Sequence, residues 1–144
     1  MASYNKYEIF VGDLTGKVHD LLGTAGSTSD TCKVGYSNTA PNAGTHATFS
    51  QVTEISAGNG YTAGGASAAN VGTRSAGTFT LVCTDIVTTA SGSVGPFRYV
   101  IFYNDTPTSP ADPLISWWDY GSALTLANGE TFTVDFGAST FTLA

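Results

Sequence analysis

The sequence predicts a mainly β fold: a β-sandwich or jelly-roll-like single domain with one N-terminal α-helix. Over most of the chain, short segments rich in Val, Ile, Thr and aromatic residues alternate with Gly, Pro and Asn, the pattern of strands joined by turns. Of the 144 residues, 42% are hydrophobic, which is enough for one buried core. Only 11% are charged, against about 25% in an ordinary soluble domain, and this excludes coiled coils and long helical bundles.

We expect a single domain over residues 1–144, divided into an N-terminal helical segment, 1–23, and a β-sandwich, 31–144. The helix itself is predicted over residues 4–22, because apolar side chains recur there at steps of three and four and would share one face. Gly23 is expected to end it, since glycine commonly follows the last turn of a helix. The apolar positions are Tyr7, Phe10, Val11, Leu14, Val18, Leu21 and Leu22.

The region after the helix is expected to begin with a strand and to continue through turn-rich sequence. Thr31–Ser37 is the first predicted strand. Phe49–Ile55 has the apolar spacing of one or two helical turns, whereas Ser56–Gly65 contains too much glycine to hold regular structure throughout. Ala66–Thr73, which is poor in large side chains, is predicted as an edge strand.

The second half of the chain predicts a series of strands. Alternation is sharpest over Thr131–Phe136, whose apolar residues are expected to face inward. Phe97–Tyr103 is almost continuously apolar and predicts a central strand buried on both faces, while Asn128-Gly129 is typical of a hairpin turn. The predicted strands are Thr78–Cys83, Asp85–Thr89, Phe97–Asn104, Leu114–Tyr120, Leu124–Leu126, Thr131–Phe136 and Thr140–Leu143.

Charge excludes two classes of partner. Five Lys and Arg against eleven Asp and Glu give a net charge of −6, and the cations are scattered along the chain. Nucleic acids and anionic membrane surfaces require a basic face, so neither is an expected partner, and no apolar run reaches the roughly 18–20 residues of a spanning helix. The N-terminus lacks the features of a signal peptide, so we expect synthesis in a cytoplasm, where free thiols at Cys32 and Cys83 are favoured over a disulfide bridge.

No arrangement of residues predicts catalysis, so we expect no enzyme, no catalytic residue and no cofactor. His19 is expected to be partly exposed on the helix, and His46 lies in a loop without a nucleophile motif. Asp119 and Asp135 lie in predicted strands, but their alternation places them toward solvent rather than across a cleft, as glycoside hydrolysis requires.

The sequence likewise contains no strong metal-binding pattern, and we expect no metal. It has no C-x-x-C, H-E-x-x-H or EF-hand motif. Asp105 and Asp112 border a proline-rich loop and could join in a surface calcium site, although capping of turn amides is the more ordinary role of such residues. Gly58-Asn59-Gly60 lacks the Lys and the following helix of a phosphate-binding loop.

Trp117 and Trp118 form the most prominent aromatic cluster, followed directly by Asp119 and Tyr120. Adjacent residues of a strand point to opposite faces, so one tryptophan is expected to anchor the core. The other could be edge-buried or exposed, and an exposed ring would offer a stacking surface to a sugar ring or a base. Packing within the core or between subunits is the favoured interpretation.

The composition also predicts how the surface behaves toward other proteins. An exterior of Thr, Ser, Gly and Ala with few charges costs little to desolvate, and interface centres are depleted of charge in the same way. This favours a protein that is packed against copies of itself or against a lattice.

Several segments share a pattern with known proteins. They are Tyr4–Tyr7 with Phe10–Leu14 and Val18–Leu21, Ile55–Gly65, Gly95–Asp105, Pro113–Gly121 and Gly129–Phe136. Together, over nearly the whole chain, they resemble a family of small virion structural proteins of tailed bacteriophages. The resemblance brings no catalytic residues.

The resemblance implies a capsid decoration (cement) protein on the head surface of a virion, made in the host cytoplasm. Such a protein would bind the lattice of the major capsid protein, stabilise the head and form homo-oligomers with its own copies. The alternative is a tail or head-fibre component that contacts host surface glycans.

Overall fold

The structure, a computed structural model, describes residues 2–23 and 29–144 and confirms the predicted fold class. The described chain forms ten strands, one short α-helix and one 3₁₀ turn, and the strands pair in antiparallel sheets. A five-stranded sheet packs one face against two smaller sheets, which makes the molecule a β-sandwich.

The five-stranded sheet supplies most of the core. Across the sheet its strands are β1 (Ser3–Lys6), β8 (Leu114–Leu126), β7 (Val94–Asn104), β2 (Cys32–Ser37) and β3 (Ala66–Ala68). The predicted central strand is therefore confirmed, because β7 lies in the middle of the order and pairs with β8 and β2.

The two smaller sheets form the other layer. The three-stranded sheet has β4 (Asn70–Ser75) at one edge, β5 (Thr78–Cys83) in the middle and β10 (Phe141–Leu143) at the other edge. The two-stranded sheet pairs β6 (Ile86–Thr89) with β9 (Thr131–Val134).

Two clusters of buried side chains lie on opposite faces of the five-stranded sheet. The inner cluster, between the layers, includes Val34, Leu81, Val100, Phe102, Val134 and Phe136. The outer cluster, which the N-terminal segment and the loop after β2 cover, comprises Tyr7, Phe49, Val52, Ile101, Tyr103, Leu114 and Trp117. Alternate residues of β7 thus enter alternate clusters, which explains the continuous apolar run of that strand.

The predicted helix over residues 4–22 is wrong in extent. Ser3–Lys6 is instead the edge strand β1, in which Tyr4 lies opposite Trp118, and the helix α1 covers only Ile9–Thr15. Hydrogen bonds to β8 become available only in the tertiary structure, and they override the local helical periodicity. The sandwich therefore begins at β1 rather than at residue 31.

The length of α1 has a local cause as well. Gly12 and Gly16 weaken a helix at this point, and Gly16 is the C-cap residue directly after α1. The apolar stripe does not stay on one buried face: Phe10 and Leu21 enter the inner cluster, whereas Val11 and Leu22 are exposed.

The later strand predictions are confirmed in position, with corrections to their connections. Leu114–Tyr120 and Leu124–Leu126 are one continuous strand, β8. Ala66–Thr73 is divided between β3 and β4, which belong to different sheets, and Phe49–Ile55 contains one 3₁₀ turn, Phe49–Gln51.

Asn128-Gly129 forms a turn but does not close a hairpin. Gly129 has a positive φ of 87°, and the Glu130 amide donates to the Ala127 carbonyl at 3.0 Å. The strands on either side, β8 and β9, lie in different sheets, so the turn carries the chain from one layer to the other.

Candidate functional site

The outer side of the three-stranded sheet presents a face of small uncharged residues. Alternate positions on each strand point away from the core, and strand register brings them together: Val71 lies opposite Val82, and Thr73, Thr80 and Thr142 form one row across the three strands. We call this surface the Thr/Val face. Its members are Val71, Thr73, Ser75, Thr78, Thr80, Val82 and Thr142.

The Thr/Val face combines exposure with the absence of charge. Val71 is 62% exposed and Val82 38% exposed, so two aliphatic side chains stand side by side in solvent. Arg74 is the single charged residue of these three strands, and its position on β4 alternates with those of the Thr/Val face, so it points to the opposite side of the sheet. Hydroxyls and methyl groups lose little free energy on desolvation compared with charges, so this face can be covered by a partner at low cost.

The second notable surface is an aromatic cleft at the junction of the five-stranded sheet and β9. Its volume is about 460 Å³, and Trp118 and Tyr120 of β8 line it together with Phe132 of β9. The rings of Tyr120 and Phe132 meet edge to face, with centroids 5.9 Å apart. The remaining lining residues are Ala2, Val100, Thr133, Val134 and Asp135.

The two tryptophans point to opposite faces, as predicted. Trp117 is buried in the outer cluster, where its ring lies 4.5 Å from that of Tyr7. Trp118 is half-buried and contacts the rings of Phe102 and Phe136 while its other side lines the cleft. Trp117 is therefore a core residue, and Trp118 is the one that can touch a ligand.

The structure does not bring Asp119 and Asp135 together as a catalytic pair. Arg98 donates to both carboxylate oxygens of Asp119, at 2.7 and 2.8 Å, and these hydrogen bonds lower the pKa of that carboxyl. Asp135 is exposed beside the cleft, and its Oδ1 accepts the Gly137 amide at 2.7 Å. Asp119 follows Trp118 directly on β8 and so points to the other side of the sheet.

The expectation for His19 is wrong, because its side chain is buried and lies beyond the end of α1. Asn104 donates to His19 Nδ1 at 3.1 Å, which leaves the ring proton on Nε2, and Nε2 lies 4.0 Å from Asp13 Oδ2. Asn104 also donates to Asp30 at 2.6 Å. This polar cluster fastens the N-terminal segment to β7, and no sequence motif indicated it.

Acid should destabilise the protein through His19. Burial lowers the pKa of His19 from 6.5 to about 4, although the nearby Asp30 raises it in part. The unfolded chain therefore binds this proton more readily than the folded chain does. We expect the free energy of unfolding to fall as the pH drops from about 6.5 to about 4, by up to about 3 kcal/mol from this residue.

Urea unfolding of the wild type and of His19→Gln across this pH range measures that contribution. Asp13 has a raised carboxyl pKa through burial, which acts in the opposite direction, and it is present in both proteins. His46→Gln alters a partly exposed loop histidine and is the matched control. An equal pH dependence in the wild type and in His19→Gln would contradict the assignment.

Other candidate residues have structural roles. Cys32 and Cys83 are both free and buried, and burial raises the pKa of Cys83 to about 11 and raises that of Cys32 as well, so neither is an activated nucleophile. Asp105 forms an ion pair with Lys33 Nζ at 3.0 Å. The backbone carbonyl of Asp112 accepts the Phe49 amide at 2.9 Å.

The glycine-rich segment Ser56–Gly65 is held by one acidic side chain. The Tyr61 hydroxyl and the Gly64 amide both donate to Glu54 Oε1 at 2.6 Å, and the Tyr61 hydroxyl accepts the Tyr36 amide at 3.0 Å. Across residues 2–23 and 29–144, no group of three or more His, Cys, Asp or Glu side chains is placed to hold a metal ion. None of the helices in that part of the chain has the length and hydropathy to cross a bilayer.

Comparison with protein-family models, with curated proteins and with solved structures finds no significant match to this chain. The geometry thus offers two surfaces, the Thr/Val face and the aromatic cleft, from which a function can be inferred. Composition predicted an uncharged surface of the first kind, but the strand register was needed to locate it. The cleft joins residues of β8 and β9. The Asn128-Gly129 signal predicted that these strands pair as a hairpin, whereas they lie in different sheets and leave a cleft between them, which the sequence did not indicate.

Proposed function

We propose that this chain is a bacteriophage virion structural protein, a capsid decoration protein that binds the lattice of the major capsid protein and stabilises the head. The observation that carries the proposal is the Thr/Val face, a surface of exposed and partly exposed Val, Thr and Ser side chains without a charge. The resemblance of the sequence to small tailed-bacteriophage virion proteins supports it. In this role the chain acts by adhesion and catalyses no reaction.

Adhesion through such a face has a low desolvation cost. The exposed Val71 and Val82 supply apolar area to bury, and the surrounding threonines supply hydroxyls that exchange water for backbone groups of a partner. A standard interface buries about 1,600 Å² in total. Each copy on a shell needs only a modest contact, because the binding free energies of many copies add up over the shell. Contacts between copies of the chain would extend the layer of bound copies over the head.

A tail or head-fibre component is the second candidate, and the aromatic cleft favours it. Tyr120 is 48% exposed beside Trp118, which gives a surface of the kind that sugars stack on. A fibre and a decoration protein differ in abundance, since decoration follows the capsid lattice and a fibre does not.

Copy number on purified particles tests the proposal and separates the two candidates. Quantitative mass spectrometry against the major capsid protein should show this chain at a similar order of abundance. A small number of copies per particle would favour the fibre. Absence of the chain from particles purified from cells that express it would overturn both candidates.

A further inference from the structure

We propose that the aromatic cleft is a binding site for a neutral saccharide. The site goes beyond the structural role proposed above and does not depend on it, because a head-decoration protein and a fibre protein could each carry it. The ligand class follows from the rigidity of the aromatic wall, the polar groups beside it and the sign of the local charge.

The aromatic wall is fixed before a ligand arrives. Trp118 packs against Phe136 at 5.8 Å and against Tyr4 at 5.5 Å between ring centroids, so its orientation is set by the core and by β1. Phe132 is held by Phe97 at 5.0 Å in the same way. A preformed wall loses little side-chain entropy on binding, and the cleft volume of about 460 Å³ lies within the range of roughly 300–1,000 Å³ of small-ligand sites.

The polar groups of the cleft point to a ligand with many hydroxyls. One oxygen of the Asp135 carboxylate accepts a hydrogen bond from the Gly137 amide, and the second oxygen can accept a hydrogen bond from a ligand. Thr133 adds a polar residue to the same lining. A purely apolar ligand would desolvate Asp135 without replacing its hydrogen bonds, whereas a sugar ring places C–H groups on the aromatic rings and hydroxyls at the carboxylate.

The charge of the site favours a neutral ring over an anionic one. Asp135 is the charged residue of the cleft lining, and the chain as a whole carries −6. An acidic sugar would therefore meet repulsion at the carboxylate, as would a nucleotide, which could otherwise stack on the same rings.

Saturation-transfer-difference NMR on the purified chain tests the assignment. The probes are maltotriose, lactose and chitotriose as neutral sugars and 3′-sialyllactose as the anionic counterpart of lactose. We expect saturable binding of at least one neutral probe, with the ring C–H protons receiving the strongest transfer. Sialyllactose should bind more weakly than lactose if lactose binds.

Two substitutions at exposed positions locate the site without disturbing the core. Tyr120→Ala and Asp135→Asn should each weaken binding about tenfold. Val11→Ala and Glu8→Gln, which shorten an exposed apolar side chain and remove a single charge outside the cleft lining, are the matched controls. Trp118→Phe keeps an aromatic ring in the core and should weaken binding by reducing the stacking surface.

If none of the three neutral probes binds at millimolar concentration, the proposal is overturned. Binding that is unchanged in Tyr120→Ala and Asp135→Asn would overturn it as well, since the sugar would then lie elsewhere. Either result leaves the copy number on particles unaffected, so the saccharide site and the structural role fail independently.

Discussion

Replacing Gly65 with alanine is expected to lower the free energy of unfolding by about 3–4 kcal/mol, one of the largest effects of a single methyl group in this chain. Gly65 has a φ of +73° and is the last residue of the glycine-rich segment that Glu54 holds. An added Cβ would overlap the backbone carbonyl of Val34 in β2. The obstacle is main chain at the core of the five-stranded sheet, so relief requires the loop and the strand to separate.

Gly77→Ala is the matched control for this prediction. Gly77 has a similar φ of +82°, but an added Cβ there meets nothing within 4 Å. Its cost is therefore only that of the left-handed conformation, about 1 kcal/mol. Urea unfolding of both variants separates backbone strain from steric overlap, and equal losses of stability would show that the loop does not press on β2 as described.

From the proposed capsid-binding role of the Thr/Val face, Val71→Lys is expected to weaken binding to capsids by about 100-fold or more, because an ammonium group at the centre of an apolar contact is desolvated without a partner. The side chain is 62% exposed on the edge strand β4, so the substitution should leave the fold intact. Co-sedimentation of the purified chain with capsids that lack it measures the affinity.

Val87→Lys supplies the control in that assay. Val87 is 60% exposed on β6, in the two-stranded sheet, so the same substitution adds the same charge at nearly equal exposure on a different surface. We expect it to bind as the wild type does, and thermal unfolding should show both variants folded. A loss confined to Val87→Lys would place the contact on the two-stranded sheet and contradict the assignment of the Thr/Val face.

The sequence predicted strands well where local pattern and tertiary burial agree. Period-two alternation over Thr131–Phe136 places Val134 and Phe136 in the core, as expected, although the strand itself ends at Val134. The apolar run of β7 predicted a strand buried on both faces, and both clusters do lie against it. In these segments the secondary-structure preference of each residue agrees with the position that tertiary packing requires of it.

Sequence reasoning failed where distant strands decide the outcome. The periodicity of residues 4–22 suits a helix, yet Ser3–Lys6 forms a strand because it pairs with the otherwise unpaired edge of β8. His19 looked like an exposed helical residue, but its burial depends on Asn104, which lies far along the chain. Neither the edge nor the asparagine can be found from spacing within the segment.

The candidate surfaces show the same division. Low charge predicted an adhesive exterior, and the Thr-x-Thr-x-Val pattern of Thr78–Val82 is consistent with an exposed face on β5. Which strands lie beside β5, and hence the extent of the Thr/Val face, follows only from register. The cleft required the same knowledge, since Tyr120 and Phe132 meet across two sheets.

The proposed function assigns this chain to a bacteriophage, and a density map of that phage's intact virions would test the proposed adhesion to the capsid most directly. We expect it to show the chain on the head, with Val71, Thr80 and Val82 covered by the shell protein and the two-stranded sheet turned away from it. A map in which those three side chains face open solvent on every copy would contradict the account.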